Sequence, residues 1–230
     1  IDTAGSAFIG TYNLTVDANT GSVTIADPIA TSSGTLTKTG SGTLTLSAAN
    51  TYTGATTISA GVVAVSNSSA LGGTATGTTV ADTATLSISG GITIAEPISI
   101  TGSGTSSVGA IRNTADTNVI SAAVTLLTSS SEIQIDNSSQ LTMSGGVTAT
   151  NVPLVVDSAG TSSIGAVTIG SGTLTKSGAG TLTLSGTNTF TGDTSIAASG
   201  GTISLTGTLG SGSYAGAIAI GSSSSFVFAS

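Results

Sequence analysis

The 230-residue chain reads as an all-β protein, a parallel β-helix or β-solenoid of about ten short coils. Three observations predict this. Apolar residues alternate with small polar ones at a period of two along nearly the whole length, the signature of strands with one face buried. Strand-length segments follow one another only 8 or 9 residues apart, as from Leu36 to Leu44, Ile133 to Leu141 and Leu174 to Leu182. A long segment also recurs almost unchanged in the second half, and internal repetition of this kind marks a solenoid.

The apolar pairs define the elements in order. Val23/Ile25, Leu44/Leu46, Val63/Val65, Leu86/Ile88, Ile92/Ile94 and Ile98/Ile100 span the first half. Val124/Leu126, Ile133/Ile135, Leu141/Met143, Leu154/Val156 and Val167/Ile169 follow. Leu182/Leu184, Ile203/Leu205, Ile218/Ile220 and Phe226/Phe228 close the series. The residues between them are mostly Thr and Ser, which suit a pleated surface. No segment has a period of 3.6, so essentially no helix is expected. The spacing is too tight for helical crossovers, and the Asn-Gly and Asp-Gly hairpin signals are absent. Three short strands per coil satisfy both facts.

The segment SGTLTKTGSGTLTLSAANTYTGATTIS begins at Ser33, and SGTLTKSGAGTLTLSGTNTFTGDTSIA begins at Ser171. The start numbers differ by 171 − 33 = 138, and the match holds without a gap over 27 positions, of which 19 are identical. A shorter echo pairs VTIADPI at Val23 with ITIAEPI at Ile92, half that offset away. If this half-offset spans three coils, one coil takes about 23 residues. At about 4.8 Å per coil, ten coils make a rod on the order of 45–50 Å long.

Within the repeat, Gly40, Gly42 and Gly54, with their counterparts Gly178, Gly180 and Gly192, are expected at the corners. Asn50 and Asn188 precede an aromatic at equivalent corners, and their amides suit bonding to local backbone or a neighbouring coil. Tyr52 and Phe190 occupy equivalent sites, so a packed ring is expected to matter more than its hydroxyl. Lys38 and Lys176 are equivalent too, and a solvated corner is expected for both rather than a catalytic Ser–Lys pair.

These residues carry a resemblance. The order TLTK, G-x-GTLTLS, NTYTG and TTI, followed by SAGVVAVSNSSALGG, resembles the autotransporter-associated β-strand repeat, also called the passenger-associated transport repeat, over 33–73 and again over 171–210. The resemblance implies a right-handed coil in a secreted or surface-exposed bacterial protein, with a part in passenger export and folding. The 230 residues hold no C-terminal membrane barrel, and the second copy departs locally at Ala198-Ser199-Gly200-Gly201. The chain is therefore expected to be one solenoid segment, 1–230, of a longer protein.

Composition narrows the function. Only 3 basic and 10 acidic residues are present, with no His, Cys or Trp. That excludes imidazole catalysis, thiolate nucleophiles, the usual zinc sites and disulfides. A net charge of −7 with three cations disfavours nucleic acid. No apolar run approaches the 18 or so residues of a membrane span. The acids are scattered, so no catalytic, cofactor or metal site is expected, and the reading is non-enzymatic. Asp27 and Glu96 precede prolines and are expected in turns; Glu132 and Asp136 are placed for at most a weak cation contact; Arg112 is expected to pair with Asp116 or with nothing. Thr-x-Thr units at Thr35, Thr43, Thr173 and Thr181 come in twos rather than once per coil, against an ice-binding rank. The expected role is structural: a stalk, passenger or extracellular fibre at the bacterial cell surface, partnered by further coils or copies of itself. An adhesin that holds surface glycans on Tyr12, Tyr52 and Tyr214 is the alternative.

Overall fold

The computed structural model describes residues 7–31, 33–210 and 213–229. Asp2 lies outside them. The strands assemble into three long parallel sheets that run along the axis. A ten-stranded sheet starts at Ser22–Ile25 and ends at Ile218–Ile220. An eight-stranded sheet runs from Leu14–Asp17 to Val167–Thr168. A seven-stranded sheet runs from Thr93–Ile94 to Ser225–Phe228. Two two-stranded sheets complete the set, one of Ala7–Gly10 with Ile29–Thr31 and one of Thr187–Asn188 with Thr208–Leu209. Consecutive strands in the chain fall on different sheets, and each pairs with the strand one coil away. This is a parallel β-solenoid of about ten turns. Helix is nearly absent among the described residues; one short 3₁₀ turn lies at Thr105–Ser107.

Side-chain alternation builds the core. In Thr43–Leu46 and Gly61–Val65 every second residue is buried. The buried residues stack in register: Leu44 lies on Val63, Val63 on Leu86 and Leu86 on Ile111. The outward residues form ranks of their own. On the eight-stranded sheet Thr15, Thr37, Thr57, Thr79, Ser99, Thr125, Thr148 and Thr168 are neighbours in successive coils. The sequence spacing concealed this rank, because the flanking residues vary from coil to coil.

Coils vary in length. Leu44 pairs with Val63 one coil on, and Leu86 pairs with Ile111. The first step is much the shorter of the two, so the sequence-derived coil length is an average over unequal coils. The two repeat copies also land on different sheets. Leu36–Thr39 belongs to the eight-stranded sheet, but its counterpart Leu174–Ser177 belongs to the ten-stranded one. Thr43–Leu46 is in the ten-stranded sheet and Thr181–Leu184 in the seven-stranded one. The repeat offset is thus six coils plus one face.

The corner glycines serve two purposes. Gly40 and Gly178 have φ of +74° and +73°, which L side chains avoid. Gly42, Gly54, Gly180 and Gly192 lack positive φ and are required by close approach instead. A β-carbon at Gly180 would stand 1.8 Å from the Gly160 carbonyl oxygen one coil below. Gly180→Ala should therefore lower stability by about 1–3 kcal/mol, as overpacking does. Gly73→Ala, whose nearest atom would lie at an ordinary 3.4 Å, should stay within about 0.5 kcal/mol of the parent. Urea midpoints of the two variants measure the difference.

Candidate functional site

The repeated residues converge on the corners, where the chain bends and its carbonyls leave the sheet ladders. A buried carbonyl needs a donor. Lys38 and Lys176 supply it from inside the coil. Both are fully buried, which corrects the expectation of solvated corners. Lys38 stacks between Val16 and Ile58, and Lys176 between Val156 and Ile196, both inward-facing positions. The Lys38 ammonium donates to the carbonyls of Thr39 (2.7 Å), Gly40 (2.7 Å) and Ala60 (3.1 Å). The Lys176 ammonium donates to Ser158 (3.2 Å), Ser177 (2.5 Å), Gly178 (2.6 Å) and Gly200 (2.9 Å), which ties three successive coils.

Burial lowers the pKa of both lysines, to about 8 for Lys176, and nearby carboxylates, Asp17 for Lys38 and Asp157 for Lys176, oppose the shift. Each Asp sits beneath the glycine two residues after its lysine. A β-carbon at Gly40 would meet the Asp17 carboxylate at 2.2 Å, and one at Gly178 would meet that of Asp157 at 2.5 Å. An ammonium enclosed by carbonyls and closed to solvent serves as a brace.

The asparagines span coils in the same way. Asn50 Oδ1 accepts from the Ile29 amide (2.8 Å), and its Nδ2 donates to the Ala70 carbonyl (2.5 Å). Asn188 Oδ1 accepts from Val167 N (2.9 Å), while its Nδ2 donates to Gly186 (3.0 Å) and Thr208 (2.9 Å). Both side chains are buried.

The aromatic site shows that the hydroxyl matters after all. Tyr52 is buried, and its hydroxyl lies 2.7 Å from Thr56 Oγ1, which donates to the Leu71 carbonyl at 3.2 Å. Phe190 and Thr194 are the counterparts of Tyr52 and Thr56. Phe190 has no hydroxyl to offer, but Tyr214 from the next coil packs edge-on against it at 5.6 Å. The Tyr214 hydroxyl lies 2.9 Å from Thr194 Oγ1 and donates to the Gly192 carbonyl at 2.5 Å. The exchange of Tyr for Phe is thus compensated from a neighbouring coil. Tyr52 and Tyr214 are accordingly occupied by internal contacts and do not form exposed platforms, whereas Tyr12 is 78% exposed.

The acids are used singly. Arg112 pairs with Asp136 of the following coil instead of Asp116, through Nε–Oδ1 and Nη2–Oδ2 contacts of 3.0 and 2.8 Å. Asp136 is therefore engaged by a cation and does not join Glu132. Glu132 is half-buried, and burial with Asp157 nearby raises its pKa. Asp116 accepts from Gly90 N and Asp193 from Ala217 N, each at 2.8 Å across coils. Asp27 is half-buried at its turn, but Glu96 is buried inside the coil. The Thr-x-Thr units are dispersed over all three faces. No group of three or more His, Cys, Asp or Glu side chains converges among the described residues. No helix among them is long and apolar enough to cross a membrane.

The geometry defines a class first: a parallel β-solenoid whose repeated residues brace one coil to the next. The model of the passenger-associated-transport-repeat family matches residues 36–65 and 174–205. Comparison with curated proteins and with solved structures gives no match. The matched spans hold Lys38, Asn50, Tyr52 and Thr56, and again Lys176, Asn188, Phe190 and Thr194. The partners Asp17, Asp157 and Tyr214 lie outside them. One signal could have exposed the lysines: Lys38 follows Leu36 by two, and Lys176 follows Leu174 by two, so each pair shares a face.

Lys176→Met keeps the volume and removes the donors. The corner carbonyls then face a thioether, which costs about 1–3 kcal/mol, and the urea midpoint should fall. The pH dependence has a definite sign. Below pH 8 the lysine is charged whether folded or unfolded, and the cost of burying that charge is fully present. Between about 8 and 10.5 the unfolded chain binds more protons. Stability from this site should thus rise with pH across that window in the parent and stay flat in Lys176→Met.

Proposed function

We propose that the chain is a non-enzymatic structural segment of a secreted or surface-attached bacterial protein, a passenger or stalk whose coils continue into further coils or copies of itself. The two transport repeats support this, and so does the use of the repeat's polar residues as internal braces. The observation that carries it is the open coil of Ile218–Ile220 and Ser225–Phe228. Ile220 is 50% and Phe228 71% exposed, while the residues they stack on, Ile196 and Leu205, are 2% and 5% exposed. These two strands are also the outermost of their sheets, with backbone groups free to pair. A further coil would bury both the side chains and the edge.

The adhesin reading retains Tyr12 as its one exposed ring. Binding to a glycan array that vanishes in Tyr12→Ala would favour it over a purely structural role.

The end-to-end reading is tested by sedimentation and electron microscopy. The segment should form elongated oligomers with rising concentration, in steps on the order of 48 Å for ten coils. Charge placed at the open coil, as in Ile220→Lys with Phe228→Lys, should keep it monomeric. A strictly monomeric segment, together with a parent chain that adds no coil after residue 229, would count against the proposal.

A further inference from the structure

The interior of the solenoid is apolar except at a few places, and one polar group there is not explained by bracing. Between the strands Thr93–Ile94 and Ile98–Ile100 the chain turns through Glu96 and Pro97. The Glu96 side chain points inward and is 3% exposed. Among the described residues its carboxyl group accepts one hydrogen bond, at Oε1 from the hydroxyl of Thr78 one coil earlier. Thr78 stacks on Thr56, which is bound by the Tyr52 hydroxyl and donates to the Leu71 carbonyl. Tyr52, Thr56, Thr78 and Glu96 thus form a buried cluster of three hydroxyls and one acid across three coils.

No cation among the described residues reaches this cluster. The single ion pair among them joins Arg112 to Asp136, and both lysines are enclosed by corner carbonyls. The titratable group in electrostatic contact with Glu96 is the Tyr52 phenol, which is itself raised by burial and stays neutral. The next coil presents the Ala123 carbonyl to Ile98 N and stacks Val124 on Ile98, with no charge. A carboxylate in such a place is costly, and a neutral acid is not.

We propose that Glu96 is a proton-operated latch: as a neutral acid it closes the coils that carry Thr56, Thr78 and Ile98, and as a carboxylate it loosens them. Burial raises its pKa from 4.5 to about 7, against the pull of the Thr78 hydroxyl, which favours the charged form. A raised folded pKa gives stability that is fully present below pH 4.5 and lost as pH climbs to 7. The segment should thus be held most tightly in acid. This is the opposite direction to the lysine brace, and in a different pH window.

Amide hydrogen exchange of the intact chain tests the latch, read at Thr78–Val80 and Ile98–Ile100. Protection factors there should fall about tenfold per pH unit between pH 5 and 7 and level off above 7. Protection at Thr181–Leu184, far along the rod and paired with strands that hold no acid, should not follow this profile. Glu96→Gln keeps the shape and removes the titration, so its profile should be flat from pH 5 to 8. Thr78→Val removes the bond that favours the carboxylate and should move the levelling point to higher pH. A parent and a Glu96→Gln variant with the same profile would overturn the latch. If Glu96→Gln does not fold, a Thr78→Val profile with an unmoved levelling point does the same.

Discussion

Every coil of this solenoid must bend between its strands, and each bend takes carbonyl oxygens out of the sheet ladders. Satisfying those oxygens inside a narrow apolar bore is the constraint on which the rest depends. Stacked side chains fill the bore, so the donors must come from side chains that enter it. Lysine ammonium groups, asparagine amides and small hydroxyls do this. Along one edge of the rod they form a seam: Asn113 with Asn118, then Ser139, then Ser158 with Ser162, then Lys176 reaching to Gly200. The apolar ranks fill the space between such seams but do not by themselves fix where the corners fall.

The same stacking explains the scarcity of charge. Side chains at one position in adjacent coils are neighbours at about 4.8 Å, so a charge repeated in register would repel itself. Neutral hydroxyls can bond to one another instead, as Thr202 does with Ser225 at 2.8 Å and Ser195 with Thr175 at 3.2 Å. Three of the acids are placed where an adjacent coil answers them, with a guanidinium for Asp136 and backbone amides for Asp116 and Asp193.

The apolar pairs two apart marked about half of the strands, because inward alternation is a local property, and missed those with a single inward apolar residue, such as Thr56–Ile58 and Thr194–Ile196. Glycines marked corners for the same reason, though two mechanisms hide under one residue type. What escaped was whatever depends on the coil length, which changes along the rod. Arg112 was matched with a nearby Asp116 when its partner lies one coil onward. Tyr214 could not be linked to Thr194 in the coil before it without the register. Lys38 was placed in a solvated corner because ionisable groups usually lie outside, although the spacing from Leu36 already put it among the buried positions. Glu96 and Asp27 share a sequence echo but not an environment, since the echo also shifts from one face to the next.

The displacement of the two repeats by one face makes them alike within and unlike without. Seen down the axis, their identical outer threonines point in directions a third of a turn apart. A partner approaching from one side therefore meets the outer strands of one copy and the flank of the other. Duplication of sequence has not produced duplication of surface. What has been copied is the scaffolding of a corner, free to be set at any azimuth, which leaves the outward positions to diverge independently.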